Sequence, residues 1–263
     1  MEVRLVECKS AISPSRLPGL DWALNPYRGC GHACAYCYAQ DVTRFEMARP
    51  WGDVIEVRTN IVSRLKKDIE KRPRGVIGIG TVTDPYQPLE SEYELTRGCL
   101  AVLKRVGARI SILTKSDLVL RDLDILTGWP DAEVGISIGC TNEQITSIVE
   151  PGAPSPDRRF LALRELNDEH VNTYLMAAPI IPGLCDSEEA LVELVGKAKD
   201  AGVRRIIWDK FNPKPLATSR LRNCTSQMGA QTLRPQTGHE ASRTQSILER
   251  ECARSGIVLL NAF

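Results

Sequence analysis

The chain has 263 residues, 43% of them apolar, and its 34 Lys plus Arg and 33 Asp plus Glu leave a formal net charge of +1. This composition is that of a globular protein, and the near-neutral charge disfavours non-specific binding to nucleic acid. No apolar run approaches the length of a membrane span, and the charged start over residues 1–7 is unlike a secretory signal. We therefore expect a cytoplasmic protein with no membrane contact.

Short β-branched runs alternate with longer segments of helical period. The predicted strands cover 22–27, 75–80, 109–114, 134–138, 171–177, 204–208 and 257–260, and the predicted helices cover 92–106, 118–126, 158–169 and 187–201. Such alternation is typical of parallel β-α-β units. Gly107 and Gly202 each follow a helical pattern, as glycines at helix ends do.

This pattern predicts an α/β fold, a partial (β/α) barrel with about six or seven parallel strands, as a single domain over residues 1–263. A doubly wound open sheet is the alternative. One stretch, residues 209–239, is polar, contains three prolines and shows weak periodicity. We expect this stretch to be irregular, and to act either as a substrate lid or as a disordered insert.

Three of the nine cysteines stand within eight residues, as Cys30-x₃-Cys34-x₂-Cys37. Three closely spaced thiolates favour an iron–sulfur cluster or zinc. Zinc needs a fourth ligand, and the only local candidate, His32, lies inside the first gap where its geometry would be cramped. Three cysteines without an obvious fourth suggest a four-iron cube with one open iron.

The three cysteines followed by Tyr38 resemble the signature of the radical S-adenosylmethionine (SAM) superfamily. Further segments resemble the spore photoproduct lyase-like branch of that superfamily: Asn-Pro-Tyr-Arg-Gly-Cys at 25–30, Thr-Asp-Pro-Tyr-Gln-Pro-Leu-Glu at 83–90, Leu-Thr-Lys-Ser at 113–116, Glu-Pro-Gly-Ala-Pro at 150–154 with Arg159, and Pro-Ile-Ile-Pro-Gly-Leu at 179–184. The resemblance covers about residues 25 to 212.

This resemblance implies an enzyme in which a [4Fe-4S] cluster reductively cleaves SAM to methionine and a 5′-deoxyadenosyl radical. The radical would abstract hydrogen from a substrate that the sequence does not identify, in a lyase or other radical reaction. A one-electron reductant, such as a ferredoxin- or flavodoxin-like protein, is the implied partner.

The resemblance also implies roles for individual residues. Cys30, Cys34 and Cys37 would hold the cluster, and Tyr36 and Tyr38 would line the nucleoside side of SAM. Thr83 and Asp84 would receive the methionyl amino group. Lys115 would meet the carboxylate, and Ser137 would face the nucleoside or the carboxylate.

Strand positions agree with part of this assignment, because Asp84 and Lys115 follow predicted strands and the C-terminal strand ends of a barrel carry its site. Other interpretations stay open. Asp84 and Lys115 would also suit a surface ion pair or a helix cap, and Ser137 would also suit simple packing in a narrow barrel. Glu150 and Arg159 would also suit a local salt bridge.

Among the other cysteines, Cys185 follows the fifth predicted strand and is the candidate thiol hydrogen donor. Cys140 and Cys224 are alternative candidates, whereas Cys99 and Cys252 lie in helical patterns typical of buried positions. These five cysteines are far apart in sequence, which disfavours an auxiliary cluster.

Two further functions are alternatives to the unidentified radical reaction. The first is repair of DNA photolesions, which is disfavoured by the near-neutral charge and by the absence of an evident basic hairpin. The second is a non-catalytic zinc or iron–sulfur protein that binds a partner, which would leave the segments around Asp84 and Lys115 without a common purpose.

Overall fold

The structure is a computed structural model, and it describes residues 1–70, 74–226 and 238–262. The strands are β1 (Glu2–Val6), β2 (Ile12–Pro14), β3 (Trp22–Leu24), β4 (Tyr27–Arg28), β5 (Val54–Arg58), β6 (Val76–Ile79), β7 (Arg109–Thr114), β8 (Ala132–Ser137), β9 (Asn172–Ile180), β10 (Arg205–Lys210) and β11 (Val258–Asn261). Most of them form one large sheet, whose strand order is β11-β10-β9-β8-β7-β6-β3-β2.

Helices connect the strands of this sheet. They are α1 (Ala39–Thr43), α2 (Ile61–Ile69), α3 (Glu90–Tyr93), α4 (Leu95–Arg105), a 3₁₀ helix at Asp117–Asp122, α5 (Leu123–Leu126), α6 (Glu143–Val149), α7 (Pro156–Asp168), α8 (Glu188–Asp200), α9 (Pro215–Ser226) and α10 (Gly238–Ser255). Gly107 and Gly202 have φ of +64° and +77°, which is the left-handed conformation expected where α4 and α8 end.

The sheet confirms the predicted α/β barrel class. Strands β3, β6, β7, β8, β9, β10 and β11 are parallel, and only β2 is antiparallel to its neighbour. These seven strands lie in chain order across the sheet, without the reversal that defines a doubly wound sheet. The alternative open-sheet prediction was therefore wrong.

Alternation along the strands separates a helix-facing core from the barrel interior. In β10, Ile206 and Trp208 lie in the core, whereas Ile207 and Asp209 line an interior cavity of about 640 Å³. The lining of this cavity includes Val76 of β6 and Leu260 of β11, which belong to distant strands of the same sheet. The sheet therefore curls around the cavity.

A second, three-stranded sheet has the order β1-β5-β4 and escaped prediction. Strand β5 runs parallel to β1 and antiparallel to β4, where Tyr27 pairs with Val57. Because β4 ends at Arg28, two residues before Cys30, this small sheet supports the segment that carries the three clustered cysteines.

Residues 209–239 differ from the prediction of an irregular segment. Helix α9 occupies Pro215–Ser226, and it buries Ala217 and Leu221 despite its polar composition. Within the predicted lid, residues 227–237 lie outside the described residues. Within the described parts of the chain, no helix is long and apolar enough to cross a membrane.

Candidate active site

The three clustered cysteines lie on a tight loop between β4 and α1, residues 29–38, which we call the cysteine loop. The N–H of Ala33 donates to the carbonyl of Cys30 at 3.2 Å, and the N–H of Cys37 donates to the carbonyl of Cys34 at 3.1 Å. Gly29 has a φ of +83°, and a Cβ there would stand 2.3 Å from the Val54 carbonyl oxygen. Glycine is therefore required where the chain passes from β4 into the loop.

The thiols of Cys30, Cys34 and Cys37 are free, and the first two are buried. Burial raises the pKa of Cys30 well above its ordinary value, and the neighbouring Asp84 and the other two cysteines raise it further. Burial likewise raises the pKa of Cys34 to about 12 and raises the pKa of Cys37. Buried thiols of this kind ionise when a cationic metal centre takes up their charge.

The donor set fits an iron–sulfur cube better than a single zinc ion. Three cysteine sulfurs on one loop are the ligand type that iron–sulfur clusters use. Within residues 1–70, 74–226 and 238–262, no three Cys, His, Asp or Glu side chains converge as ligands of one metal ion. His32, the candidate fourth zinc ligand, is buried and lies beside Asp84, with 3.3 Å between Nδ1 and Oδ2.

The segment after β6 fastens the start of the cysteine loop. Gln87 is fully buried, and its Oε1 accepts from the N–H of Gly31 at 2.9 Å. Its amide nitrogen donates to Thr83 Oγ1 at 3.0 Å, and that hydroxyl donates to the carbonyl of Gly29 at 2.6 Å. Thr83 and Gln87 therefore position the loop. The role of Gln87 escaped prediction.

Asp84 bridges the cysteine loop and the end of β7. Its carboxylate accepts from Thr114 Oγ1 at 2.6 Å and from the N–H of Lys115 at 2.8 Å. Burial alone would raise the pKa of Asp84, but the neighbouring His32 and these hydrogen bonds lower it to about 2. The carboxylate is thus ionised and its acceptor positions are in use.

The expected contact of Thr83 and Asp84 with the SAM amino group differs from this arrangement. Neither residue lines the interior cavity, and both side chains make hydrogen bonds within the protein. Their geometry fits positioning residues that hold the cysteine loop and Lys115 in place. A ligand amino group would have to displace one of these contacts.

Four other predicted residues do lie together on the cavity wall: Tyr36, Tyr38, Lys115 and Ser137. The Lys115 ammonium donates to Ser137 Oγ at 2.9 Å and lies 5.4 Å from the centre of the Tyr36 ring. Cys34 and Cys37 line the same cavity. The structure therefore brings two of the three closely spaced cysteines, two tyrosines and a cation around one space.

A buried polar network stands behind this wall. The Tyr36 hydroxyl donates to Glu150, which also pairs with Arg159, and Arg159 Nη1 donates to the carbonyl of Ser137 at 3.1 Å. Burial would raise the pKa of Glu150, but the charges of Arg159 and Lys115 lower it. The pair is deeply buried, with 4% of Glu150 and 1% of Arg159 exposed, which is unlike an ordinary surface salt bridge.

Cys185, the predicted hydrogen donor, forms a disulfide with Cys140, with 5.3 Å between the Cα atoms. A disulfide sulfur carries no S–H hydrogen to donate, and neither residue lines the cavity. This arrangement differs from the expectation of a free thiol at the barrel mouth. The donor role would require the reduced form and a path into the cavity.

Three of the four remaining cysteines lie on different helices. Cys99 and Cys252 are buried in α4 and α10, as their helical patterns predict, and Cys224 is half-buried in α9. The three are free thiols.

Comparison with known proteins identifies the family. Residues 24–206 match the model of the radical SAM superfamily. An uncharacterized protein of Methanocaldococcus jannaschii is 35% identical over 193 residues, which are 73% of each chain. The radical SAM Nalpha-GlyT isomerase of Pseudomonas phage M6 is 25% identical over 166 residues, which are 62% of this chain and 34% of that protein.

The fold has solved counterparts. A variant of spore photoproduct lyase with bound AdoMet and dinucleoside spore photoproduct matches 99% of this chain and 82% of its own, with a TM-score of 0.74 and 16% sequence identity. Its likeness extends to the described parts of the chain beyond residue 206, where the family model ends. The chain belongs to the radical SAM superfamily, whose members are enzymes that use a [4Fe-4S] cluster and S-adenosylmethionine.

Proposed function

We propose that the protein cleaves SAM reductively and uses the resulting 5′-deoxyadenosyl radical to abstract hydrogen from a substrate held in the barrel cavity. The observation that carries this proposal is the position of Cys34 and Cys37 beside Lys115, Ser137, Tyr36 and Tyr38 on one cavity wall. At about 640 Å³, the cavity is in the size range of small-molecule sites.

The cofactors supply the radical chemistry, and the protein supplies binding, orientation and exclusion of water. In this proposal Cys30, Cys34 and Cys37 ligate three irons of the cluster. The Lys115 ammonium binds the carboxylate of SAM, and the Ser137 hydroxyl is its neighbouring donor. Tyr36, fixed by its hydrogen bond to Glu150, and Tyr38, whose hydroxyl donates to the Thr81 carbonyl at 2.6 Å, form the nucleoside wall.

Reductive cleavage of SAM consumes an electron, which has to reach the cluster from an external reductant. A small one-electron carrier of the ferredoxin or flavodoxin type is the proposed donor. In this proposal the enzyme acts in the cytoplasm, where such carriers operate.

Anaerobic reconstitution with iron and sulfide, followed by addition of SAM and dithionite, tests the proposal. We expect about four irons per chain and formation of 5′-deoxyadenosine. The triple variant C30A/C34A/C37A should lose both, whereas C252A, which removes a buried thiol of α10, should keep both. Uptake of zinc alone by the wild type, or 5′-deoxyadenosine from the triple variant, would contradict the proposal.

Repair of a DNA photolesion is the second candidate, and the fold favours it. The matched spore photoproduct lyase structure holds dinucleoside spore photoproduct, and the match covers 99% of this chain. Against it, the net charge of +1 gives no general attraction to a polyanion. Incubation of the reconstituted protein with SAM, dithionite and dinucleoside spore photoproduct should yield the repaired dinucleoside if this activity is present. Formation of 5′-deoxyadenosine with the lesion intact would assign the enzyme another substrate.

A further inference from the structure

One arginine of helix α9 makes hydrogen bonds to the cysteine loop, beside the apolar contact between Leu221 and Ala35. The guanidinium of Arg220 donates from Nε to the carbonyl of Ala35 at 3.2 Å and from Nη2 to the carbonyl of Cys37 at 2.5 Å. Its Nη1 donates to Oε1 of Gln40 at 2.6 Å. Two of these acceptors belong to the short segment between Cys34 and Cys37, so the arginine holds the backbone that carries two cluster ligands.

The acceptors of Arg220 are all neutral. Carbonyl and amide oxygens satisfy the guanidinium but do not cancel its charge, and no carboxylate in the described parts of the chain forms an ion pair with it. This differs from Arg159, which pairs with Glu150 on the other side of the loop. The Asp41 carboxylate lies within electrostatic range of both Arg220 and Cys37 and offsets part of the guanidinium charge without forming an ion pair with it. The half-buried Arg220 is the closer of the two, because its guanidinium contacts the Cys37 carbonyl directly.

A second contact fixes α9 against the same part of the chain. The carboxylate of Asp41, four residues after Cys37, accepts from the N–H of Leu216 at 2.9 Å and from the N–H of Ala217 at 3.1 Å. These two N–H groups have no acceptor within α9, because they lie in its first turn. A carboxylate is favourable at this end of a helix. Asp41 thus attaches the first turn of α9 to α1, and Arg220 attaches the middle of α9 to the cysteine loop.

A fixed positive charge at this place has a chemical consequence. A four-iron cluster with three thiolate ligands becomes more negative when it accepts an electron. A nearby cation stabilises the reduced form more than the oxidised form, because the attraction grows with the negative charge of the cluster. Water screens the interaction little where the charge is half-buried.

We propose that Arg220 is a positioning residue of the cluster centre, which holds the Cys34–Cys37 segment by two backbone hydrogen bonds and raises the reduction potential of the cluster through its charge. The inference rests on the proposed cluster ligation. Arg220 lies outside residues 24–206, the range matched by the family model, so membership of the superfamily does not assign it this role.

Three single variants separate charge, hydrogen bonding and helix stability. Arg220→Gln keeps an amide donor and removes the charge, and Arg220→Lys keeps the charge and removes the forked geometry. Arg222→Gln, at an exposed position two residues further along α9, is the matched control for loss of one positive charge. For each anaerobically reconstituted protein we measure iron per chain, the midpoint potential by redox titration with electron paramagnetic resonance, and the circular dichroism melt.

We expect Arg220→Gln to have a lower midpoint potential than wild type and Arg222→Gln, with Arg220→Lys between them. Loss of iron from a folded Arg220 variant, with iron retained in Arg222→Gln, also supports positioning. Equal potentials and equal iron in Arg220→Gln and Arg222→Gln would overturn the inference, as would a lower melting temperature with an unchanged potential. Failure of the wild type to bind a cluster would instead refute the proposed function.

Discussion

The ammonium group of Lys115 donates to the hydroxyl of Ser137 at 2.9 Å, so the ends of neighbouring strands β7 and β8 present one cation and one hydroxyl to the same cavity. The backbone N–H of Lys115 is held separately by Asp84. Backbone and side chain of this lysine thus have different partners. The ammonium can leave Ser137 for a carboxylate of SAM without disturbing the strand end.

Replacement of Lys115 by alanine should weaken SAM binding and leave the iron content unchanged. A charge-assisted hydrogen bond contributes about 1.5 to 3 kcal/mol, so we expect a loss of roughly tenfold to a hundredfold in affinity. Equilibrium binding of SAM to the reconstituted protein measures the effect. Lys67→Ala, at an exposed position of α2, is the control. Equal affinities in the two variants would remove Lys115 from the SAM site.

Replacement of Asp84 by asparagine should lower both iron retention and SAM affinity, because one carboxylate holds His32, Thr114 and the Lys115 backbone. A direct ligand of SAM would change affinity alone. Iron per chain after a chelator challenge, measured beside SAM binding, distinguishes the two roles. Asp124→Asn breaks an exposed ion pair with Arg97 and should change neither quantity. Full iron retention in Asp84→Asn would contradict the positioning role.

Replacement of Glu150 by glutamine should destabilise the fold, since it leaves the buried charge of Arg159 without its partner. Breaking a buried pair in this way costs about 3 to 5 kcal/mol. The free energy of unfolding, from denaturant titration of the reduced protein, measures this loss. Glu188→Gln breaks the exposed pair with Arg250 and should cost less than about 1 kcal/mol.

The double variant E150Q/R159M tests whether the unpaired charge of Arg159 causes the loss of stability in Glu150→Gln. Removing the arginine charge as well should recover part of the stability lost in Glu150→Gln, because no uncompensated charge then remains buried. A double variant that is no more stable than Glu150→Gln would show that the two side chains do not act as a pair.

Replacement of Cys185 by alanine should keep the iron content and the rate of 5′-deoxyadenosine formation within about twofold of wild type, because Cys185 and Cys140 lie outside the cavity lining. Cys34→Ala, which removes a thiol of the cavity wall, should lose both. A changed product pattern in Cys185→Ala, once a substrate is known, would restore the predicted donor role. Loss of the cluster in Cys185→Ala would contradict our interpretation of the site.

The barrel was predictable from sequence because its signals are local. Seven apolar runs with helical segments between them indicate parallel strands, and the position of Lys115 after one of them agrees with the role that the family resemblance implies. The assignment of Ser137 came from the resemblance. The small sheet escaped prediction because its strands are short and pair over long distances in sequence, as Glu2 of β1 with Val54 of β5 and Tyr27 of β4 with Val57 of β5. Such pairing leaves no periodic signal in a single sequence.

The supporting residues were hidden for a different reason. The family resemblance implied that Asp84 contacts SAM, and its position after a strand agreed with that role. Whether a carboxylate faces a cavity or the backbone of the next strand depends on loop geometry, which the sequence does not show. Arg220 lies in a polar, proline-bearing stretch, and its partners are backbone carbonyls about 180 residues earlier. Every residue type carries a backbone carbonyl, so no sequence motif indicates such a contact.

The order of the small sheet has a practical consequence for experiments on this protein. Strand β1 pairs with β5, and β5 pairs with β4, which leads directly into Gly29 and Cys30. Removal of residues 1–8, or a bulky fusion that separates β1 from β5, would expose one edge of β5 and weaken the support of the segment that carries Cys30. Poor cluster loading in such a shortened protein would then report a lost strand rather than an unsuitable set of cysteines.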